Sequence, residues 1–305
     1  MKRIVWWIQA AVFYLFTRAI AAIPQRFIHH TGCIIGRTMY RLLVKRREVA
    51  TENIRLALPF MKKHPAWNST FETAEAITCE AFIHLGTSLV EICRLYHGKG
   101  NELIDSIEIR GLGSYDGARA KHKGLIFVTG HCGNWELLGL CFKRRLNDTM
   151  SVVARKQNNP YLNRMVERMR MHYDNAVIYK QGALKPIISR LKKNGVIGIL
   201  ADQAVITEEG VLINVLGRKA WASKAPIVIA QKTGAPLIPA FIHREHGRHV
   251  ITLHPEFEVS GDMTEEGVRQ DVQLLSRYLE DFVCAHPADW YWVHKRWKQA
   301  GEVAE

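Results

Sequence analysis

The spacing of apolar positions divides the chain into an N-terminal stretch and a longer body with a different rhythm. Residues 4–23 read IVWWIQAAVFYLFTRAIAAI, an apolar run interrupted only by Gln9, Thr17 and Arg18. Its length suits a bilayer span. Arg18 lies near one end, where it can snorkel, and Trp6, Trp7 and Tyr14 favour a membrane interface, so a tilted span and an in-plane helix both fit. After Pro24, residues 27–44 mix apolar and basic positions as an interfacial helix does, and residues 72–96 carry a helical period that ends at Gly98. Then the texture changes. Short apolar runs at 106–110, 125–129, 151–154, 176–179, 196–201, 237–242 and 249–254 predict strands. Helical patterns near 135–145, 160–173, 184–193, 223–233 and 264–285 fall between them, and Asp262 and Glu265 have capping-box spacing before the last. This alternation implies an α/β fold, a largely parallel central sheet flanked by helices, preceded by an N-terminal membrane helix. The expected division is a membrane-anchoring helix over 1–26 and one catalytic domain over 27–305.

Charge narrows the choice of partner. The chain has 42 Lys and Arg against 29 Asp and Glu, a net +13, which calls for something acidic: nucleic acid, an anionic membrane, a phosphorylated lipid or an acidic carrier protein. No zinc-finger spacing, RNP-like block or basic heptad region occurs, so no nucleic acid is expected. Arg26, Arg37, Arg41, Lys45, Arg46 and Arg47 outnumber Lys2 and Arg3 on the other side of the apolar run. By the positive-inside tendency the main domain then faces the cytoplasm. The six cysteines form no C-x-x-C pair and no zinc-type spacing, and read as reduced, scattered residues.

The segment GLIFVTGHCGNWELLG, residues 124–139, carries the most chemistry. A buried strand runs into a turn eased by Gly130 and Gly133, and Asn134 is a good N-cap for a helix opening at Trp135. The turn thus lies at the carboxyl end of a strand, where open α/β sheets bind ligands. His131 on this turn and Glu136 in the first helical turn form a candidate catalytic pair: an ionised carboxylate beside the ring fixes its tautomer and strengthens it as a general base. The alternative is a His satisfied at a loop. Cys132 reads as a small buried residue, because adjacent side chains on an extended segment point to opposite sides.

G-H-x-x-x-W-E after an apolar strand resembles the late acyltransferases of lipid A biosynthesis, the lauroyl and myristoyl transferases of the glycerolipid acyltransferase superfamily. Further blocks match in order: REVATENIRLALP at 47–59, ARKQNNP at 154–160, LADQ at 200–203, GAPLIPA at 234–240 and DWYWVHKRWK at 289–298. The resemblance implies direct acyl transfer without metal or cofactor. It further implies a thioester on acyl carrier protein as donor and a hydroxyl of an anionic glycolipid, a lipid A precursor, as acceptor at the cell inner membrane. A lysophospholipid or other phospholipid, an aminolipid or a phosphatidylinositol mannoside are the alternative acceptors. By the same analogy Arg155 binds substrate with Asn159 supporting its loop, and Asp202 with Gln203, at another strand end, orients Arg155 or the acceptor sugar. Read alone, Arg155 and Asp202 also suit surface and rim ion pairs. In the tail, Trp290, Trp292 and Trp297 among His294, Lys295 and Arg296 suit either a lipid interface or a docked aromatic core.

Overall fold

The computed structural model describes residues 2–298 and residue 300. Its centre is a seven-stranded sheet in the order β1-β9-β8-β2-β5-β3-β4. The strands are β1 (Glu108–Arg110), β2 (Leu125–Thr129), β3 (Met150–Ala154), β4 (Ala176–Tyr179), β5 (Val196–Leu200), β8 (Leu237–Glu245) and β9 (Arg248–Leu253), and a separate hairpin pairs β6 (Gly210–Val215) with β7 (Arg218–Ser223). Within the large sheet only the β8–β9 pair is antiparallel. The expected largely parallel α/β sheet is therefore present. β2 is buried at every position, as a strand covered on both faces must be.

Helices α1 (Lys2–Ala22), α2 (Ile28–Leu42), α3 (Val44–Met61), α4 (Ala74–Tyr96) and α5 (Asn101–Asp105) precede the sheet; α6 (Leu112–Ala120), α7 (Trp135–Leu146), α8 (Pro160–Arg170) and α9 (Leu184–Lys192) run between its strands. α10 (Ala225–Thr233) and α11 (Glu265–Ala285) complete the set. α4 is the core helix of the N-terminal half. Although long and apolar, its most apolar window is 61% buried, and α2 crosses it at glycine contacts. A Cβ on Gly86 would lie 2.4 Å from the Gly32 carbonyl oxygen and the Gly36 nitrogen, so any larger residue would push the helices apart.

α1 is different, with 17% of its apolar window buried. One side is tied down: Thr17 Oγ1 lies 2.9 Å from His97 Nε2, and Lys99 and Arg94 donate to the carbonyls of Ala21 and Ile23. The other side bares Trp7, Val12 and Leu15 to 60%, 62% and 67%, a contiguous apolar face without a partner among the described residues.

Three local expectations need correction. The hairpin β6–β7 was not foreseen: Leu216 and Gly217 both adopt positive φ at its turn, a task usually signalled by Asn-Gly rather than Leu-Gly. The last helix is capped by Thr264, whose Oγ1 accepts from Gly267 N, while Asp262 accepts from Thr264 N; no Asp262–Glu265 box forms. Asn134 precedes α7 without capping it, because its amide is turned to Glu91.

Candidate functional site

β2 and β5 are hydrogen-bonded neighbours, and their carboxyl ends carry the site. Ala201 N donates to Thr129 O at 2.9 Å, extending the ladder to the last residue before each loop. One loop then presents His131 and the other Asp202. The His131 Nδ1–Asp202 Oδ1 distance is 2.8 Å, and His131 N donates to Asp202 Oδ2 at 3.0 Å. Trp290 Nε1 also donates to Oδ2, at 2.9 Å. The aspartate is thus held by three N–H donors. Burial opposes its charge, but the charge and hydrogen bonds of His131 outweigh it and bring its pKa down to about 2.

With Nδ1 turned to a carboxylate, the ring carries its proton there and offers the Nε2 lone pair outward. His131 retains 21% side-chain exposure against 3% for Asp202. Trp135 and Tyr291 flank the ring, with centroids at 5.0 and 5.9 Å. Gln203 Nε2 lies 3.4 Å from His131 Nε2. The assembly can accept a proton from a hydroxyl while the buried carboxylate stabilises the resulting imidazolium.

This corrects the expected pairing. Glu136 makes a forked ion pair with Arg170 on α8, at 2.5 and 2.9 Å, and the His131 ring has Asp202 in its place. Both partners of the pair are mostly buried, Glu136 at 13% and Arg170 at 23% side-chain exposure. The pair therefore ties the start of α7 to the end of α8. Asp202 and Gln203, expected to orient Arg155 or a sugar, contact His131 instead. Arg155 is exposed at the end of β3. Asn159 caps α8 through its Oδ1 and donates to Trp6 O and Gln9 Oε1, so it joins α1 to α8. Cys132 is wholly buried, and burial together with the charges of Asp202 and Asp289 pushes its thiol well above the usual range. It is no nucleophile.

The residues around the dyad supply what local sequence reasoning missed. The tail tryptophans are core: Trp290, Trp292 and Trp297 are 5%, 2% and 7% exposed. Gly133 N donates to Asp289 O at 2.6 Å and Tyr291 N to His131 O at 3.0 Å, so the tail buckles the His131 loop from outside the sheet. Gly133 has φ +51, and a Cβ there would meet Ile242 O at 2.4 Å, which makes glycine obligatory at this crossing. Beneath it, Glu91 of α4 receives Arg244 at 2.6 Å and Asn134 at 2.8 Å, with His249 at 3.1 Å. Nothing in the local spacing signals Arg170, Glu91 or Arg244. Trp290 lay within the closing DWYWVHKRWK block, but its indole contact with Asp202 had no local sign.

Asp289 is itself held by His84 Nδ1 at 2.9 Å, and His84 Nε2 lies 3.5 Å from Glu80. Burial disfavours the imidazolium, yet the hydrogen bonds to Asp289 and Glu80 prevail and raise the His84 pKa from 6.5 to about 9. A raised folded-state pKa stabilises fully below the unfolded value, and the gain is lost as pH rises through the folded one. The melting temperature should therefore fall between pH 6.5 and 9, by the equivalent of roughly 3 kcal/mol at most. In His84→Gln that decline should flatten. Parallel slopes for the two proteins in a thermal-melt series would show that His84 carries no such charge.

The chain is similar to known acyltransferases. The family model for bacterial lipid A biosynthesis acyltransferases matches residues 2–299. A phosphatidylinositol mannoside acyltransferase of Mycobacterium tuberculosis is 25% identical over 230 residues, 73% of this chain and 71% of the relative. Its Mycolicibacterium smegmatis counterpart is 26% identical over 206 residues, 66% and 64% of the two chains. A lipid A biosynthesis acyltransferase of Haemophilus influenzae is 21% identical over 294 residues, 94% of this chain and 86% of the relative. With the family match spanning both the dyad and the tail that braces it, the chain belongs to the bacterial lipid A biosynthesis acyltransferase family and is an acyltransferase.

Proposed function

We propose that the protein transfers a fatty acyl chain from an acyl carrier protein thioester to a hydroxyl of a lipid A precursor at the inner membrane, with residues 27–305 as the catalytic domain on the cytoplasmic side. The observation that carries this reading is the hydrogen-bonded His131–Asp202 pair at adjoining strand ends. In the proposed step Nε2 of His131 takes the proton as the acceptor hydroxyl oxygen bonds to the thioester carbon. The C–S bond then breaks, and the imidazolium returns the proton to the departing thiolate. Asp202 stays ionised throughout and stabilises the imidazolium. The Gln203 amide, near the Nε2 lone pair, would give way to the hydroxyl and become a donor for the carbonyl oxygen as it turns anionic. Arg155, exposed at a strand end, is a contact for an anionic substrate group. Glu136, first expected as the base's partner, would act through Arg170 by fixing the helix that follows the His131 loop.

A second acceptor is favoured by one finding: the mycobacterial relatives, named for phosphatidylinositol mannoside, have higher identity than the lipid A relative from Haemophilus influenzae. Incubating the purified chain with acyl carrier protein thioester and each acceptor in turn, followed by mass spectrometry, separates the readings. An acylated lipid A precursor is expected. Acylated mannoside alone would favour the second reading, and no acylated product from either acceptor would sink both.

The bare face of α1 supports membrane attachment over 1–26. Val12→Glu with Leu15→Glu touches only exposed positions, and each charge placed in hydrocarbon costs roughly 2 to 3 kcal/mol. The double variant should leave the membrane fraction on a high-salt wash while melting in detergent like the parent. Retention equal to the parent's would mean that this face does not enter the bilayer.

A further inference from the structure

A concavity of ≈ 380 Å³ is lined among others by Lys180, Ile206, Glu209, His294, Lys295 and Lys298. One wall begins at Ala204, directly after Gln203, whose amide is 3.4 Å from His131 Nε2. The tail supplies His294, Lys295 and Lys298 to the lining. The cleft is thus walled by the segment that follows Gln203 and by the tail.

Its charge is unbalanced. Three lysines face a single acid, Glu209, and that acid is taken by Lys180 at 2.7 Å. Lys295 and Lys298 remain as exposed ammonium groups over the cavity. Surface lysines on a loose tail would be ordinary solvated charges. Here the backbone that carries them is clamped on both sides. Asn53 of α3 donates to the carbonyls of Trp292 and His294, each at 2.7 Å, and Arg46 reaches Val293 O at 3.4 Å. Arg296, only 3% exposed, donates to Trp221 O at 2.5 Å, and Trp297 Nε1 to Val215 O at 3.3 Å. Two ammonium groups are thus held on a fixed frame, at the mouth of a cleft whose other wall is the apolar pair Val205 and Ile206. Paired point charges beside an apolar wall match an amphiphile's phosphate ester, which carries concentrated negative charge next to hydrocarbon.

We propose that this cleft is a phosphate-ester subsite, with Lys295 and Lys298 as its ammonium contacts and Lys180 held in reserve by Glu209. Which molecule carries the phosphate rests on the acyl-transfer reading: either the lipid acceptor's headgroup or the pantetheine phosphate of the acyl donor. The phosphate contact itself does not rest on that reading.

The test uses the full chain in uncharged detergent and two calorimetric probes, dihexanoyl phosphatidic acid and the phosphate-free dihexanoylglycerol. The double variant Lys295→Gln/Lys298→Gln should bind the phosphatidic acid about tenfold more weakly, the diacylglycerol unchanged. Lys295→Arg/Lys298→Arg should keep most of the affinity, and His131→Ala should bind as the parent does, so a failed dyad leaves this measurement intact. Equal phosphatidic acid affinity in parent and Gln variant overturns the site. So does an equal loss for both probes, which would report altered packing rather than charge. Kinetics then assigns the source. A raised KM for the acceptor with kcat little changed identifies the lipid headgroup, and a raised KM for the thioester identifies pantetheine; both unchanged overturns a role in substrate binding.

Discussion

Replacing His131 by alanine should lower acyl transfer by roughly two to four decades, the usual contribution of a positioned general base, while leaving a folded protein. The ring packs edge-on against Trp135 and keeps one fifth of its surface in solvent, so little burial is lost. The larger structural cost falls on Asp202, which is 4% exposed and loses one of its three donors. Its charge keeps the His131 main-chain N–H and the Trp290 indole. The destabilisation should therefore stay near 1 to 3 kcal/mol, the range for one lost partner of a buried group. Circular dichroism establishes the folded state, and turnover with a saturating thioester donor gives the rate. Near-parental turnover in the folded variant would remove His131 from the chemistry.

The elements most legible in the sequence were those whose pattern repeats. β2, β4 and β5 matched their apolar runs to within a residue, and with them the class of sheet. The loop bearing His131 was also readable, since a glycine-flanked polar turn after a buried strand is a local feature. What the sequence withheld was adjacency. Asp202 was visible as a strand-end acid, but its partner depends on β2 lying beside β5 rather than β3. A strand order of β8-β2-β5-β3 is set by the packing of helices on both faces, which no window of the chain records. Glu136 was the nearer acid in sequence and so the natural choice. Its side chain is instead claimed by Arg170, 34 residues away. The same competition took Asn134 from its helix cap, where a buried glutamate on α4 offered a charge-assisted bond.

The two acids make opposite predictions, and Asp202→Asn has the largest expected effect. In the parent, Oδ2 accepts from His131 N and Trp290 Nε1, and Oδ1 faces the ring Nδ1. An asparagine keeps the first two bonds only by turning its oxygen toward them, which puts its NH2 against Nδ1. The ring must then accept at Nδ1 and carry its proton on Nε2. That is the wrong tautomer for taking a proton from a hydroxyl, and in a triad of this kind the same change costs roughly four decades. The imidazolium formed during attack also loses its counter-charge. Glu136→Gln breaks a mostly buried ion pair instead, leaving the Arg170 charge with a weaker acceptor. Its cost should appear chiefly as stability, up to roughly 3 kcal/mol. Below the melting transition, the rate should fall by less than about tenfold, short of the usual general-base contribution. Turnover of the two folded variants decides the matter. A loss of several decades in Glu136→Gln beside a loss of less than about tenfold in Asp202→Asn would return the base's partner to Glu136 and make the His131–Asp202 bond structural.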